Sequence, residues 1–361
     1  MPHAGRAAVP LLLVLLLAAC PKRRAQTPDA RPTAAADTGP PAARYEACAR
    51  LDPLGGDFGT IKLFGLQLAP KGATLAAEAT AGGRSAKLTL GVLGDTKEAL
   101  PATLARLDRL VQRLSGHGVD AVILLGGIEA SFEGIREVLD RLKRAAPVLA
   151  LPGDRESKSG FQAAARAHAP KVVDLVQVRA IATPFGSLLA VPGYHLPHHL
   201  HAREQGCSYG EEEIRALVGL ARKLPGPRVL LAHGPPRGDG RAAVDRAFGQ
   251  VNVGDPLLRR LMKEADIAFG LFAHVHESAG HATTLDGEPV REMTWSDSLL
   301  LNVGSADSVP HEDLAGRWSK GSAALVELRE NRARYRMLDL ARLPVEVPST
   351  EPAMPQTKTT N

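Results

Sequence analysis

The chain has 361 residues, with 44 lysines and arginines against 39 aspartates and glutamates, a formal net charge of +5, and 4% aromatic residues. So mild and dispersed a charge, with few stacking side chains, excludes the basic, aromatic-interleaved stripe of a nucleic-acid-binding protein, and no nucleic acid is expected as a partner. Three cysteines in a chain of this length exclude a disulfide-dense scaffold.

In chain order, Arg6 leads into the apolar run "LLLVLLLAA" at 11–19, too short to span a bilayer and fitting a signal-peptide core. It ends in "LAAC" at 17–20, which resembles a bacterial lipobox; residues 1–19 then read as a signal peptide and Cys20 as the lipidation site. An ordinary signal peptide cut after Ala19 is the alternative. The expectation is an extracytoplasmic protein anchored by lipid to a bacterial membrane, with "KRR" at 22–24 beside anionic headgroups. Residues 20–44 are Pro- and Ala-rich with almost no large apolar side chains, the composition of a tether.

Beyond the tether, residues 45–86 hold short β-like pieces whose placement the sequence does not fix. From 87 to 343, apolar runs alternate with amphipathic stretches, the pattern of βαβ units around a largely parallel sheet. Strands are expected at 87–94, 121–126, 148–153, 187–193, 228–234 and 267–274. Leucines 104, 107, 110 and 114 make one apolar stripe, so 100–116 reads as a helix stopped by Gly116. The stretch 135–145 behaves in the same way. After His276, "SLLLNVG", "SAALVEL" and "ARYRMLDL" lack intervening helices, which suggests an antiparallel second sheet. Residues 344–361 are Pro- and Thr-rich and expected to be disordered. Apart from Cys20, the cysteines are Cys48 and Cys207; an oxidising compartment permits a bridge, but two unrelated free thiols are the expectation.

Four strand ends carry the unusual polar residues: "GDTKE" (94–98), "PGDRES" (152–157), "AHGPP" (232–236) and "AHVHE" (273–277). Carboxyl ends of strands in an open α/β sheet converge on one crevice, which would bring together Asp95, Asp154, His233, His274 and His276. Two carboxylates and three imidazoles form a plausible shell for Mn, Fe or Zn. Each residue also has a structural reading: Asp95 and Asp154 as helix caps, His233 as a turn residue, His274 and His276 as strand-end polar groups.

The order and spacing of these motifs resemble those of the calcineurin-like metallophosphoesterases, with "NVGS" at 302–305 similar to a further family stretch. The resemblance covers roughly 87–340. It implies two packed mixed β-sheets flanked by helices, an α/β/β/α sandwich, and hydrolysis of a phosphate mono- or diester at a metal centre. The departures are specific. Lys97 stands where the family has a histidine, and Gly127 where it has the carboxylate that bridges two ions. Asp154 replaces an asparagine, Arg155 replaces the histidine that assists the leaving group, and Ala273 replaces a glycine.

Carried over, one metal position keeps Asp154, His233 and His274, while the other keeps only Asp95 and His276. Three ligands and water make an acceptable mononuclear site, whereas two seldom retain an ion. An inward Lys97 opposes a second ion: unit charges about 4 Å apart at an effective dielectric near 20 repel by about 4 kcal/mol, and a divalent ion doubles this. Lys97 and Arg155 are the candidate groups for holding phosphate oxygens.

Three functions stay open: a mononuclear phosphoesterase, a silent relative that binds a phosphorylated or other anionic ligand, and a metal-free scaffold for protein partners that the sequence does not identify. Glu98 and Glu129 are candidates to replace the missing acid only if their loops have shifted. The histidines of "HLPHHLH" (195–201) read as a solvated loop or a pocket rim, and "EEE" (211–213) as a helix start.

Overall fold

The computed structural model describes residues 45–55, 58–77, 87–319 and 321–342. The signal segment, Cys20, the tether and the tail from 344 lie outside the described residues. Two sheets form because successive strand residues point to opposite faces and both faces are apolar. In the strand Ala121–Leu125, Ile123 and Leu125 join one buried cluster while Val122 and Leu124 join another. Leu188 and Ala190 are likewise divided from Leu189 and Val191, and Val229 and Leu231 from Leu230 and Ala232. The shared cluster lies between the sheets; each of the others lies under helices. Strands this apolar on both faces are what a helix-covered parallel sheet requires.

The first sheet has six strands. Its parallel part runs Lys87–Leu93, Ala121–Leu125, Val148–Leu151, Val172–Asp174, and the antiparallel hairpin Ser322–Arg329 and Arg332–Asp339 continues it beyond Lys87–Leu93. The second has nine strands, with a parallel centre of Gly186–Val191, Arg228–Ala232, Phe269–Phe272 and Leu299–Asn302. Helices α1 (Pro101–Gly116), α2 (Phe132–Leu142) and α3 (Lys158–Arg166) cover the first sheet, and α4 (Glu211–Ala221) and α5 (Pro256–Glu264) the second. Leu104, Leu107, Leu110 and Leu114 of α1 are all buried, as their spacing predicts. Ser131, Ser157 and Asp255 cap α2, α3 and α5 through their side-chain oxygens. Glu211–Glu213 open α4, where Glu213 accepts from the Gly210 N–H at 3.0 Å. Among the described residues, no helix is long and apolar enough to cross a membrane.

Two readings are corrected, and one left open by the sequence is filled in. The strands after His276 do not make an antiparallel sheet of their own: Leu299–Asn302 runs parallel to Phe269–Phe272, and the last two strands join the first sheet. Local sequence shows that they are strands but not which edge they complete. Within 45–86, Ile61–Leu63, Leu66–Lys71 and Thr74–Ala77 build one edge of the second sheet, burying Leu63, Leu66, Leu68 and Leu75 between the sheets. Finally, Cys48 and Cys207 are not free thiols but a disulfide, 159 residues apart in sequence. Glu46–Ala47 pairs in parallel with Cys207–Ser208, which brings the two Cα atoms to 5.2 Å, within bridging distance.

Candidate metal centre

The site lies where the carboxyl ends of both sheets meet. Asp95 and Asp154 follow strands of the first sheet; His233 and His274 follow strands of the second. The loops are locked to one another by backbone bonds: Asp95 N–H donates to Gly126 O and Lys97 N–H to Gly127 O, both at 2.8 Å. Ser305 of the "NVGS" stretch donates to Asp95 O at 2.8 Å. Asn302 donates to Val244 O, Val275 O and Ser278 Oγ, so it holds the loop that carries His274 and His276. Asp95, Lys97 and His274 have φ of 52°, 57° and 68°, a left-handed conformation that costs free energy in a residue with a Cβ. The turn at His274 aims its N–H at Asp95 Oδ2, 2.6 Å away.

One half of the site is a group of side chains that could hold a metal ion. Asp95, Asp154, His233 and His274 offer ligand atoms all within 4.8 Å of one another. His233 is fully buried, and its Nδ1 donates to Leu125 O at 2.8 Å. This leaves Nε2 facing Asp154 Oδ1 and His274 Nδ1, each at 3.1 Å, the arrangement in which a carbonyl fixes the tautomer of a ligating imidazole. Carboxylate and imidazole donors of this kind fit a divalent metal ion.

Without an ion, the same groups interact as charges. Burial alone would lower the His233 pKa, but Asp95 and Asp154 outweigh it and raise it to about 10. Burial and the neighbouring His233 lower His274 to about 4. Burial works to raise the carboxyls of Asp95 and Asp154, yet the imidazoles around them, His233 first, hold both below the ordinary range.

The other half is built around Lys97. Its Nζ lies 3.1 Å from His311 Nε2 and 3.4 Å from His276 Nδ1. His276 Nε2 lies 3.5 Å from Asp95 Oδ2, and His311 Nε2 lies 3.6 Å from Asp307 Oδ2. Burial lowers the Lys97 pKa, against the opposing pull of Asp95 and Asp307.

The structure thus brings Asp95, Asp154, His233 and His274 into one group and sets Lys97 and His276 beside it. Arg155 packs at the edge: its Nε is buried without a hydrogen-bond partner, and its Nη2 is 3.9 Å from Glu98 Oε1. Neither candidate replacement acid joins the ligand group. Glu98 pairs with Arg155, and Glu129 accepts from Ala99 N–H at 3.0 Å. A carboxylate at position 127 has no room, since a Cβ on Gly127 would lie 2.3 Å from Asp95 Oδ1 and the backbone there has φ +65°. Gly153 is tight for a different reason: a Cβ there would lie 2.6 Å from His233 Cγ.

Glu156 is buried and accepts from the N–H groups of Ile128 and Gly153, joining two site loops; burial raises its pKa. The "HLPHHLH" loop is tied to the site by its backbone: His201 N–H donates to Asp154 O at 2.8 Å. Tyr194, just before it, packs against His274 with ring centroids 4.5 Å apart. Sequence reasoning missed Tyr194, Asp307 and His311. Asp307 lies two residues past "NVGS" and was within reach of a motif-based search, whereas nothing local marks His311, which a short hairpin of His311–Glu312 and Trp318–Ser319 brings in.

No protein-family model and no curated protein matches the sequence. Solved structures do. TT1561 of Thermus thermophilus aligns with a TM-score of 0.50 at 16% identity, over 70% of this chain and 99% of that one. A dimetal phosphatase from Danio rerio aligns at 0.45 and 11% identity, over 70% and 99% of the two chains. Purple acid phosphatase PPD1 from yellow lupin aligns at 0.43 and 13%, over 75% of this chain and 55% of its own. At these identities the likeness concerns fold alone. The two-sheet, helix-flanked α/β fold expected from the motifs is the fold of this chain, and TT1561 is similar to it in fold.

Proposed function

We propose that the chain is a phosphoesterase of the bacterial cell envelope that works with a single divalent metal ion and hydrolyses a phosphate mono- or diester. The observation that carries this reading is the convergence of Asp95, Asp154, His233 and His274, from two sheets, on one buried point. Asp154, His233 and His274 would hold the ion, with Asp95 beside them. Bound there, it would supply Lewis acidity and charge stabilisation to a phosphoryl group. Lys97 and Arg155 would hold phosphate oxygens through charge-assisted hydrogen bonds. A guanidinium does not release its proton near neutral pH, so Arg155 cannot protonate a leaving group, and esters whose leaving groups need no acid suit the site best.

The purified full chain in detergent, supplied with Mn or Zn, should hydrolyse an activated aryl phosphodiester and lose that activity on chelation. A protein that binds metal without turnover would favour the second reading, a silent relative that binds an anionic ligand or partner proteins. The filled space at Gly127 is the observation on that side, because it removes the bridging carboxylate of a two-ion centre. Attachment through Cys20 is part of the proposal: Cys20→Ser should abolish labelling by a fatty-acid probe in cells, and retained labelling would contradict the anchor.

A further inference from the structure

We infer that a separate anion site lies at the amino end of the first sheet, where Lys87, His117, Arg334 and Arg336 line a cavity of about 240 Å³, and that it takes a phosphate monoester group. The inference does not rest on the phosphoesterase reading. The sequence "RARYRML" at 332–338 sets its arginines two apart, so in the strand Arg332–Asp339 they share one face while Ala333 and Tyr335 join the core between the sheets. Strand register puts Glu327 opposite Arg334 and Leu325 opposite Arg336, with Thr89 beside Glu327. Leu325 belongs to the cluster under α1, and α1 ends at Gly116, so the sheet face beyond it is left open with His117 at its border. Asp95 follows the opposite end of the strand Lys87–Leu93, roughly 25 Å from Lys87 at the rise of an extended chain.

Three full cations, Lys87, Arg334 and Arg336, line the cavity against one carboxylate, that of Glu327. Glu327 is shared between Lys87 and Arg334, and Arg334 also lies over the Trp295 ring, 4.7 Å from its centroid. Arg336 is exposed and has no carboxylate partner among the described residues. Its planar fork of donors matches the oxygens of a phosphate. Two other acids of this region are engaged: Asp120 accepts from Thr89 N–H at 2.8 Å, and Asp297 pairs with Arg332 at 3.2 Å. Burial first, then Arg113 and Arg336, lower the His117 pKa against the pull of Glu327, so cations dominate the field at its ring. The surplus positive charge suits a phosphate monoester, which carries about −1.5 to −2 at neutral pH. A cavity smaller than the roughly 300–1,000 Å³ of drug-sized sites fits such a group rather than a whole cofactor. The group can come on a soluble ester or on a lipid headgroup.

The test titrates the chelator-treated full chain in detergent, by calorimetry, with inorganic phosphate and separately with dihexanoyl phosphatidate. Arg336→Ala, at an exposed position, should weaken binding by about tenfold, the loss of one charge-assisted contact. Glu327→Gln, which removes the lining's negative charge and keeps an acceptor for Lys87 and Arg334, should tighten it; far-UV circular dichroism checks the fold of each variant. His233→Ala, at the metal centre, should leave it unchanged. Equal affinity in the unmodified chain and Arg336→Ala would overturn the inference, as would loss of binding in His233→Ala or no binding of either probe. Tighter binding of dihexanoyl phosphatidate than of inorganic phosphate would support a lipid headgroup as the source, and equal binding a soluble ester.

Discussion

The two halves of the site differ in where their residues come from. The half around His233 is assembled from strand ends, within motifs that sequence alone makes visible. The half around Lys97 depends on Asp307 and on His311 from a hairpin that no motif marks. The same left-handed turns at Asp95 and Lys97 serve both, but one brings in a carboxylate and the other an amine. The difference teaches that neighbouring halves of one site can be built by different means, one from strand ends that a local pattern marks and one from a hairpin that only tertiary packing brings in.

The largest effect that separates the halves should come from His233→Ala. Loss of a buried ligand should lower zinc affinity by more than about 100-fold, whereas His276→Ala should change affinity for the single ion by less than about threefold. Competitive zinc titration with far-UV circular dichroism as a folding control measures both, and equal losses would erase the distinction.

Next is Glu156→Ala, which strands two buried N–H groups and should cost about 2–5 kcal/mol in denaturant unfolding. Glu156→Gln keeps an acceptor and should cost less. Gly127→Asp, which places an acid where the resembled family has its bridging carboxylate, should destabilise the chain by about 1–3 kcal/mol and add no metal, because the new Cβ meets Asp95 in a left-handed backbone. A second bound ion in that variant would show that the loop yields.

The smallest expected effect is a proton count. In the metal-free chain the His233 pKa is raised to about 10, above its unfolded value of about 6.5. Its contribution to stability is therefore fully present below about pH 6.5 and fades as pH rises towards 10. Since a ligating imidazole is neutral, zinc binding near pH 8 should release close to one proton, measured by calorimetry in buffers of different ionisation enthalpy. No release would mean that His233 is neutral before the ion arrives.

Much of this was legible in the sequence, for identifiable reasons. Continuous apolar runs predicted the strands and the leucine stripe predicted α1; strand-end placement was expected to bring Asp95, Asp154, His233, His274 and His276 together, and the first four offer ligand atoms within 4.8 Å of one another with His276 beside them. Sheet membership of the last three strands was not legible, because a strand's periodicity is the same at any edge. The Cys48–Cys207 bridge escaped for a related reason: a contact across 159 residues depends on the pairing of two very short strands. His311 was hidden because it lies in a hairpin that only tertiary packing aims at Lys97.

The central claim is one ion, on one side of the site. A crystal of the zinc-loaded chain, with data collected on either side of the zinc absorption edge, tests it most directly. The expected result is a single anomalous peak bounded by Asp154, His233 and His274, with Lys97 Nζ beside His276 and His311. Two peaks, or one peak next to His276 with His233 unligated, would contradict it.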